Sequence, residues 1–582
     1  MNSRFNYFSN LTGTPVQRLF AFLSLERRDI LLLYTYVVIG SVIGLSIPLF
    51  IQMIYGVVIG GRVSTSWIVL IFMLVIAFLV SGFLQIMQYS ILERMQQRVF
   101  AKAALEISER IPRFRVESML KKYAPELINQ FFDVPGIQKG ILKFIMSFST
   151  ALVQIFFSLV LLAFYHSTFV FYGLFMIVVL IILFYFSAPR GMSTTLKESK
   201  LKYKVAHWLE ELSRSLDIFK MAGYTEMPLV QTDLLVSKYV AARKDHFGVI
   251  KNQYRYIIFF KTFFIVGLLV IGGFLVFSGD INLGQFIASE VVIIIVMSSV
   301  DKLMDNLEGL YDLMTSFEKV GNIMEQPLES DEGISFSEVD NGSGGIALSF
   351  KDVSYQFATS RRPSLDKVSF DIKPGEKVCI MGYGASGKST LINLAATLIH
   401  DFEGIITFNN VTVRNMNLFS LRSYVGENLS NNRIMNGTIS ENIGMGIDDT
   451  SFSDVKNAID AVGLSDFVHA LKEGYDTQLI QDDLTIPDSV VTKINIARSI
   501  AEKPLMFLMD EPLQGLQKND KVIASEYLTN KNQTWTLLVA SNDATLASMC
   551  DRVLVMKDGK VFDEGTFEEL LTKAYIHDIM NP

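Results

Sequence analysis

Long apolar runs alternate with polar segments over the first half of the chain, and the pattern changes completely in the second half. A membrane-spanning helix needs roughly 20 consecutive, mostly apolar residues. Six runs before residue 310 reach or approach that length: Leu31–Tyr55, Trp67–Leu92, Ile141–Tyr165, Phe169–Ala188, Tyr256–Phe277 and Phe286–Val300. The pattern predicts an α-helical transmembrane domain with six spans.

The connections between these runs are alternately short and long, and basic residues concentrate in the long ones. Arg94, Arg98 and Lys102 follow the second run, and Lys197 and Lys200 follow the fourth. Because Lys and Arg are enriched in cytoplasmic loops, we predict that the long segments face the cytoplasm. Apolar residues at helical spacing within them predict helices that continue the spans.

Three ionisable residues fall in or near the apolar runs. Charge in hydrocarbon is costly and often lines a transport pathway, which makes Lys261 and Glu290 candidates for such a role, with a packing role as the alternative. Lys143 lies close enough to the end of a run to extend its amine into the headgroup region.

Length and composition narrow the function further. A chain of 582 residues exceeds what one hydrophobic core organises. The net charge of −7 gives no sign of a surface that binds polyanions, so no nucleic-acid partner is expected. Two cysteines, Cys379 and Cys550, indicate neither a disulfide framework nor a metal cluster.

The domain boundaries follow from changes in composition. Residues 1–30 are polar and mixed in charge, without a secretory signal, and are predicted to stay in the cytoplasm. The transmembrane domain is predicted over 31–325. A polar, acidic and glycine-rich linker covers 326–345. Beyond it, over 346–582, a strand pattern, a glycine loop and a helix pattern follow one another, which predicts an α/β nucleotide-binding domain of the P-loop class.

The chemistry of the second half begins with "MGYGASGKST", which lies between a strand pattern and a helix pattern. It satisfies G-x-x-x-x-G-K-[ST], whose backbone N–H groups cradle the phosphates of a nucleotide. We predict ATP contacts from the whole loop: Gly382, Tyr383, Gly384, Ala385, Ser386, Gly387, Lys388, Ser389 and Thr390. Lys388 would reach the phosphates and Ser389 would ligate Mg²⁺.

Two acids end a later apolar strand, "LMFLMDEP". Asp510 is predicted to hold the magnesium ion through water, and Glu511 to orient or deprotonate the attacking water as the catalytic residue.

At this point the chain resembles the ATP-binding cassette (ABC) exporters of the half-transporter kind. Four segments are similar to sequences of that family: "LRSYVGENLSNNRIMNGTISENI", "GYDTQL", "ARSIAEKP" and "VLVMKDGKVFDEGTFEELL". The membrane half, with "IGLSIPLFIQMIYGVVI", looks nearest to the hemolysin-type and bacteriocin-export branch, that is, type I secretion. Members of that branch often carry an N-terminal cysteine-peptidase domain. Here about thirty residues without a cysteine precede the first span, so no leader-peptide cleavage is expected.

The resemblance implies that two chains pair and enclose two ATP molecules, each held by the phosphate loop of one chain and the Leu-Ser-Gly-Gly-Gln signature of the other. Here the signature falls on Ile486, Pro487, Asp488, Ser489 and Val490. The family's Gln falls on Ser430, its Asp on Gln517 and its switch His on Ser541, whereas the aromatic residue that stacks on adenine is kept as Phe357. Because Pro487 has neither an N–H nor a hydroxyl, we expect a poor grip on γ-phosphate.

These features predict an ATP-hydrolysing exporter subunit in a bacterial inner membrane, with its nucleotide-binding domain in the cytoplasm and with impaired hydrolysis. Its partners would be a second half-transporter, identical or different, membrane lipid and an exported substrate that the sequence does not identify. The alternative is a regulatory or scaffold subunit that binds ATP without hydrolysing it and assembles with a competent partner or a secretion complex.

Overall fold

The structure is a computed structural model that describes residues 8, 13–59, 65–120, 124–340, 342, 344–429, 434–447, 449–480 and 486–580. The chain forms two compact units. The first contains Met1–Phe114 and Lys121–Pro327, and the second contains Arg115–Leu120 and Leu328–Pro582.

The part of the chain before the linker is helical. Its helices are α1 (Pro15–Leu25), α2 (Arg27–Ile59), α3 (Thr65–Arg110), α4 (Val116–Leu120), α5 (Ala124–Asn129), α6 (Val134–Leu142), α7 (Thr150–Tyr165), α8 (Ser167–Arg214), α9 (Leu216–Met221), α10 (Met227–Phe277), α11 (Leu283–Asp305) and α12 (Leu307–Met324). Among them α4 belongs to the second unit. A π-helical stretch, Lys143–Ser149, joins α6 to α7.

Six of the described helical segments are long and apolar enough to cross a membrane, which confirms the six predicted spans. The third is a composite that runs from Leu127 to Tyr165 through the π-helical stretch. The fourth and fifth, α8 and α10, extend well beyond their apolar runs, to 48 and 51 residues. Polar side chains begin the helices after short turns: Asn282 accepts a hydrogen bond from the N–H of Gln285 at the start of α11.

The first unit packs through aromatic and branched side chains on α7, α8, α10 and α11. Tyr172 of α8 meets Phe264 of α10 edge to face, with ring centroids 5.5 Å apart, and both rings are buried. One ion pair also joins the helices: Lys261 Nζ lies 2.9 and 2.6 Å from the two carboxylate oxygens of Asp301 on α11. The lysine predicted to lie in a span therefore has an acidic partner.

The second unit mixes strands and helices. Its strands are β1 (Leu348–Tyr355), β2 (Leu365–Ile372), β3 (Lys377–Gly382), β4 (Glu403–Phe408), β5 (Val411–Thr412), β6 (Val425–Asn428), β7 (Gly437–Thr438), β8 (Gln478–Leu479), β9 (Met506–Asp510), β10 (Thr536–Ala540), β11 (Arg552–Lys557) and β12 (Lys560–Gly565). Its helices after the linker are α13 (Lys388–Ala395), α14 (Leu418–Arg422), α15 (Ile439–Gly444), α16 (Phe452–Ala461), α17 (Ser465–Ala470), α18 (Asp488–Ala501), α19 (Lys518–Leu528), α20 (Ala544–Met549), α21 (Phe567–Leu571) and α22 (Ala574–Met580).

The main sheet has the order β12-β11-β3-β10-β9-β6, and a smaller antiparallel sheet has the order β2-β1-β4-β5. Within the main sheet β11, β3, β10, β9 and β6 run parallel, so their carboxyl ends lie at one edge. Every residue of β3, β9 and β10 is buried, as expected for central parallel strands covered on both faces. The order places the ends of β3, β10 and β9 side by side.

Candidate functional site

The phosphate loop leaves β3 at Gly382 and enters α13 at Lys388, in the strand, loop and helix order that the sequence predicts. Two glycines are required by space and by backbone angle. A Cβ on Gly382 would lie 2.4 Å from the carbonyl oxygen of Met556, and Gly387, with φ of 101°, has the carbonyl oxygen of Ser364 2.5 Å from where its Cβ would be. A side chain at either position would displace the neighbouring backbone.

The ammonium group of Lys388 turns back over the loop. Its Nζ donates to the carbonyl oxygens of Gly382 at 2.7 Å and Tyr383 at 3.2 Å. Burial lowers the pKa of Lys388, and the negative charges of Glu511 and Asp510 act in the opposite direction. The Lys388 ammonium group therefore lies on the loop and close to Asp510, which ends β9, and Glu511, which follows it.

Asn542 is a functional candidate that the sequence reasoning missed. Its side-chain Nδ2 donates to the carbonyl oxygen of Gly382 at 3.0 Å, and its Oδ1 accepts from the N–H of Gly382 at 3.1 Å. The two residues are 160 positions apart. No short motif contains this pairing, because only the adjacency of β3 and β10 creates it.

The acid predicted to hold magnesium lies at the buried carboxyl end of β9. Asp510 is 3% exposed, and among the residues that the structure describes its Oδ1 has no hydrogen-bond partner. A buried carboxylate oxygen without a partner is costly unless a ligand uses it. Together with the exposed hydroxyl of Ser389 at the start of α13, it offers the oxygen ligands that Mg²⁺ prefers.

Glu511 follows with a left-handed backbone, φ 49°, which is uncommon for a residue other than glycine. Its N–H donates to the carbonyl oxygen of Ala540 at 2.8 Å, and its Oε2 accepts from the hydroxyl of Ser541 at 3.2 Å. Burial raises the pKa of Glu511, while the charge of Lys388 and the Ser541 hydroxyl lower it. The candidate base and the residue at the switch position are thus in direct contact.

Ser541 is buried, and both its N–H and its hydroxyl form hydrogen bonds. It is 1% exposed, its N–H donates to the carbonyl oxygen of Ile380 at 3.0 Å, and its Oγ accepts from the N–H of Asp543 at 3.2 Å. Burial acts to raise the pKa of Asp543, but the hydrogen bond from Lys521, 2.7 Å long, holds that pKa below its usual range.

The remaining residues of the loop are placed around these groups. Tyr383, Gly384 and Ala385 are exposed, whereas Ser386 and Thr390 are buried. Phe357 is half-buried and packs edge to face against Tyr355, with ring centroids 4.9 Å apart.

The residues at the signature positions begin α18. Pro487 is the N-cap of that helix and Asp488 is its first residue, and no described side chain forms a capping hydrogen bond there. Pro487 and Asp488 are exposed, but Val490 is 8% exposed and packs in the core. Gln517 is exposed at the start of α19, and the predicted position Ser430 lies outside the described residues.

The far end of α18 carries a second perturbed acid. Glu502 closes the helix, and burial together with the charge of Glu427 raises its pKa to about 7, against the opposing charge of Arg498. The sequence did not predict this perturbed acid, because "ARSIAEKP" does not show that Glu502 lies near Glu427 and Arg498.

The structure therefore brings Gly382, Lys388, Asp510, Glu511 and Ser541 together at the carboxyl edge of the main sheet. Ligands of open α/β sheets bind at such an edge. In the described part of the chain no hydrogen bond joins Pro487 or Gln517 to these groups.

Comparisons with known proteins find relatives of this chain. Residues 365–514 match the family model described as "ABC transporter". The ATP-dependent lipid A-core flippase of Burkholderia orbicola is 28% identical over 302 residues, which cover 51% of this chain and 50% of that protein. The alpha-hemolysin translocation ATP-binding protein HlyB of Escherichia coli O6:H1 is 26% identical over 314 residues, which cover 54% of this chain and 44% of that protein. The chain thus spans about half the length of these curated relatives.

The fold has a counterpart among solved structures. A bacterial Atm1-family ABC exporter with ATP bound superposes with a TM-score of 0.83 at 16% identity, covering 96% of this chain and 98% of that one. At this identity the similarity to the solved structure shows the fold alone. The match to the family model lies within the nucleotide-binding domain. The chain therefore contains an ABC transporter domain, joined to six apolar helices long enough to cross a membrane, and has the fold of an ABC exporter.

Proposed function

We propose that this chain is one subunit of a dimeric ABC exporter in a bacterial inner membrane, with its nucleotide-binding domain in the cytoplasm. Its dimer partner is a second half-transporter. The observation that carries the proposal is the phosphate loop beside Asp510, whose buried Oδ1 has no hydrogen-bond partner among the described residues.

In this proposal the chain binds Mg-ATP. Backbone N–H groups from Gly382 to Lys388 and the amino end of α13 receive the phosphates, and Lys388 exchanges its two carbonyl partners for phosphate oxygens. Ser389 and Asp510 hold the ion, whose charge offsets that of the triphosphate. Phe357 stacks on the base.

We also propose that the chain hydrolyses ATP slowly when it pairs with a second copy of itself. Glu511 is available as base, but its neighbour Ser541 has a hydroxyl that carries no charge and takes up no proton near neutral pH. Across the dimer, α18 would present Pro487 and the carboxylate of Asp488 to the triphosphate. A proline has no N–H to donate, and a carboxylate repels phosphate.

The second candidate is a subunit that binds ATP without hydrolysing it and regulates or scaffolds a competent ABC partner. The contact between Ser541 and Glu511 favours it, because it leaves the candidate base bonded to a group that cannot act as a switch. The two candidates share the binding of Mg-ATP and differ in turnover.

The test uses the full chain in lipid nanodiscs, with binding of a fluorescent ATP analogue and release of phosphate as readouts. We expect Lys388→Ala to weaken binding at least tenfold, because it removes the fixed positive charge of the loop. The matched control is Lys373→Ala, which removes an exposed lysine of the same unit. Equal affinity in Lys388→Ala and the parent chain would contradict the site.

Turnover then separates the two candidates. Phosphate release that appears only with a co-purified ABC chain, and that Glu511→Gln in this chain reduces, supports the exporter subunit. Release that is unaffected by Glu511→Gln supports the regulatory subunit. Rapid release from this chain alone, lost in Glu511→Gln, would contradict the proposed impairment.

A further inference from the structure

A cavity of about 640 Å³ opens between α8 and α10 in the first unit. Its walls include Ser187 and Gln253, whose side-chain Nε2 lies 3.5 Å from the carbonyl oxygen of Ser187. The fourth predicted span ends at Ala188 and the fifth begins at Tyr256. The cavity therefore lies at the level where two neighbouring spans leave the hydrocarbon on the side predicted to be cytoplasmic.

The lower wall of this cavity is basic. Arg190 from α8 and Lys244, Lys251 and Arg255 from α10 line it, and all four are exposed. In the part of the chain that the structure describes, none of the four forms an ion pair. The acid among the lining residues, Asp245, lies 3.6 Å from Lys197, an exposed lysine outside the lining. Four cations against one acid give the lining of the cavity a net positive charge.

The same face of α10 continues upward as an apolar surface. A second cavity of about 410 Å³ is lined by α10 alone, with Phe259, Val266 and Val270 among its residues. Steps of three or four residues lead from Lys251 and Arg255 to these side chains, so all of them lie along one helix face. Phe259 is 75% exposed and Val270 is 66% exposed. One continuous stripe thus changes from cationic to apolar at the membrane boundary.

We propose that this stripe binds a phospholipid of the cytoplasmic leaflet with an anionic headgroup. The headgroup phosphate lies against Arg190, Lys251 and Arg255, and an acyl chain lies along Phe259, Val266 and Val270. Guanidinium groups bind phosphate through paired hydrogen bonds, and basic clusters beside a span attract anionic lipid. A soluble phosphate ester would use the cations alone and leave the apolar half of the stripe uncovered.

Native mass spectrometry of the full chain in detergent tests this proposal, with phosphatidylglycerol and phosphatidylcholine as probes. We expect phosphatidylglycerol to be retained in preference, and the triple variant Arg190→Gln, Lys251→Gln, Arg255→Gln to reduce its affinity about tenfold or more. The control is Lys200→Gln, Lys204→Gln, Lys238→Gln, which removes the same charge from exposed positions of the same two helices. Equal effects of the two triple variants would overturn the proposal.

Two further arms identify the occupant. Val266→Trp fills the apolar cavity, and we expect it to weaken binding of phosphatidylglycerol while glycerol phosphate at millimolar concentration fails to displace the lipid. Displacement by glycerol phosphate would assign the cations to a soluble anion and end the lipid proposal.

A photo-crosslinking residue, p-benzoylphenylalanine, placed at Tyr256 reports the neighbour directly in nanodiscs that contain phosphatidylglycerol. We expect an adduct with the mass of the lipid. An adduct with a second protein chain would show that the stripe is a protein interface and would overturn the proposal. These readouts measure binding, so they succeed or fail independently of ATP hydrolysis and of export.

Discussion

The hydroxyl of Ser541 donates a hydrogen bond to the Glu511 carboxylate over 3.2 Å. The Oγ of the same serine accepts from the N–H of Asp543, so its proton is directed to the acid. Ser541 directly follows β10 and Glu511 directly follows β9, so the pairing of these two strands brings them together. The contact therefore belongs to the folded chain itself.

Restoring the family residues is the first prediction. The variant Ser541→His, Pro487→Ser, Asp488→Gly, Ser489→Gly is expected to raise phosphate release on the order of a hundredfold, because it returns groups that stabilise the transition state. Phosphate release from the full chain in nanodiscs is the measurement. Adding Glu511→Gln is the control, and we expect it to abolish the gain.

A fifth substitution, Val490→Gln, would complete the family's signature but carries a cost in stability. Val490 is 8% exposed and packs in the core, so an amide there would be buried. We therefore expect the four-residue variant to be more stable than the five-residue variant. A series in which no member exceeds the parent chain in activity would contradict the proposed cause of the impairment.

The second prediction concerns the Asn542 amide. Asn542→Ala removes two hydrogen bonds to the backbone of Gly382 and is expected to weaken ATP binding roughly fivefold to thirtyfold, at about 1 kcal/mol for each bond. Titration of the full chain with a fluorescent ATP analogue measures it. Asn532→Ala, at an exposed position, is the control and is expected to bind like the parent. Unchanged affinity in Asn542→Ala would show that the loop keeps its shape without the amide.

The third prediction is a pH dependence of stability from Glu502. Its folded pKa of about 7 exceeds the ordinary value of 4.5, so protonation favours the folded state. The contribution of Glu502 to the stability of the folded state is therefore fully present below about pH 4.5 and is lost as the pH rises through 7. We expect the free energy of unfolding to fall by on the order of 2 kcal/mol across that window.

Fluorescence of Trp535 reports this unfolding, because the ring packs against the core of the second unit and would become exposed to water. Its centroid lies 5.4 Å from that of the buried Phe507. The measurement uses the full chain with Trp67→Phe and Trp208→Phe. Glu502→Gln is expected to flatten the pH dependence, and Glu526→Gln, at an exposed position on α19, is expected to leave it unchanged. A slope that survives in Glu502→Gln would assign it to another group.

The fourth prediction concerns the ion pair between Lys261 and Asp301. Lys261→Met leaves Asp301 without its partner and is expected to lower the free energy of unfolding by roughly 1–3 kcal/mol. Exchanging the two residues, Lys261→Asp with Asp301→Lys, is expected to recover most of the loss. Thermal unfolding in nanodiscs measures both, with Lys302→Met, an exposed neighbour, as the control. Failure of the exchange to recover stability would exclude a simple pairing of charges.

Local patterns predicted those features that depend on neighbouring residues in the chain. The six spans follow from hydropathy over about 20 residues, and the phosphate loop follows from ten consecutive residues in a strand and helix context. The contacts of Ser541 with Glu511 and of Asn542 with Gly382 could not be predicted in this way. Each joins residues 30 and 160 positions apart, and only the strand order of the main sheet brings them together.

The Lys261 pair illustrates the same limit in the first unit. The sequence marked the lysine as unusual, but the 40 positions that separate it from Asp301 hide the partner until α10 and α11 pack together. The basic stripe on α10 was also missed, because the orientation was inferred from other basic residues, such as Lys197 and Lys200. Their common face becomes clear once the helix continues without interruption from Met227 to Phe277.

The Asn542 amide imitates a peptide group, and so it continues the hydrogen bonding between β3 and β10 beyond their last backbone pair, Ala540 with Ile380. The fold itself therefore holds Gly382, the first residue of the phosphate loop, in position. With the weakened binding of γ-phosphate that we propose, we expect this loop to bind ADP nearly as tightly as ATP. We expect occupancy of this subunit to follow the total concentration of adenine nucleotide in the cell rather than its energy charge.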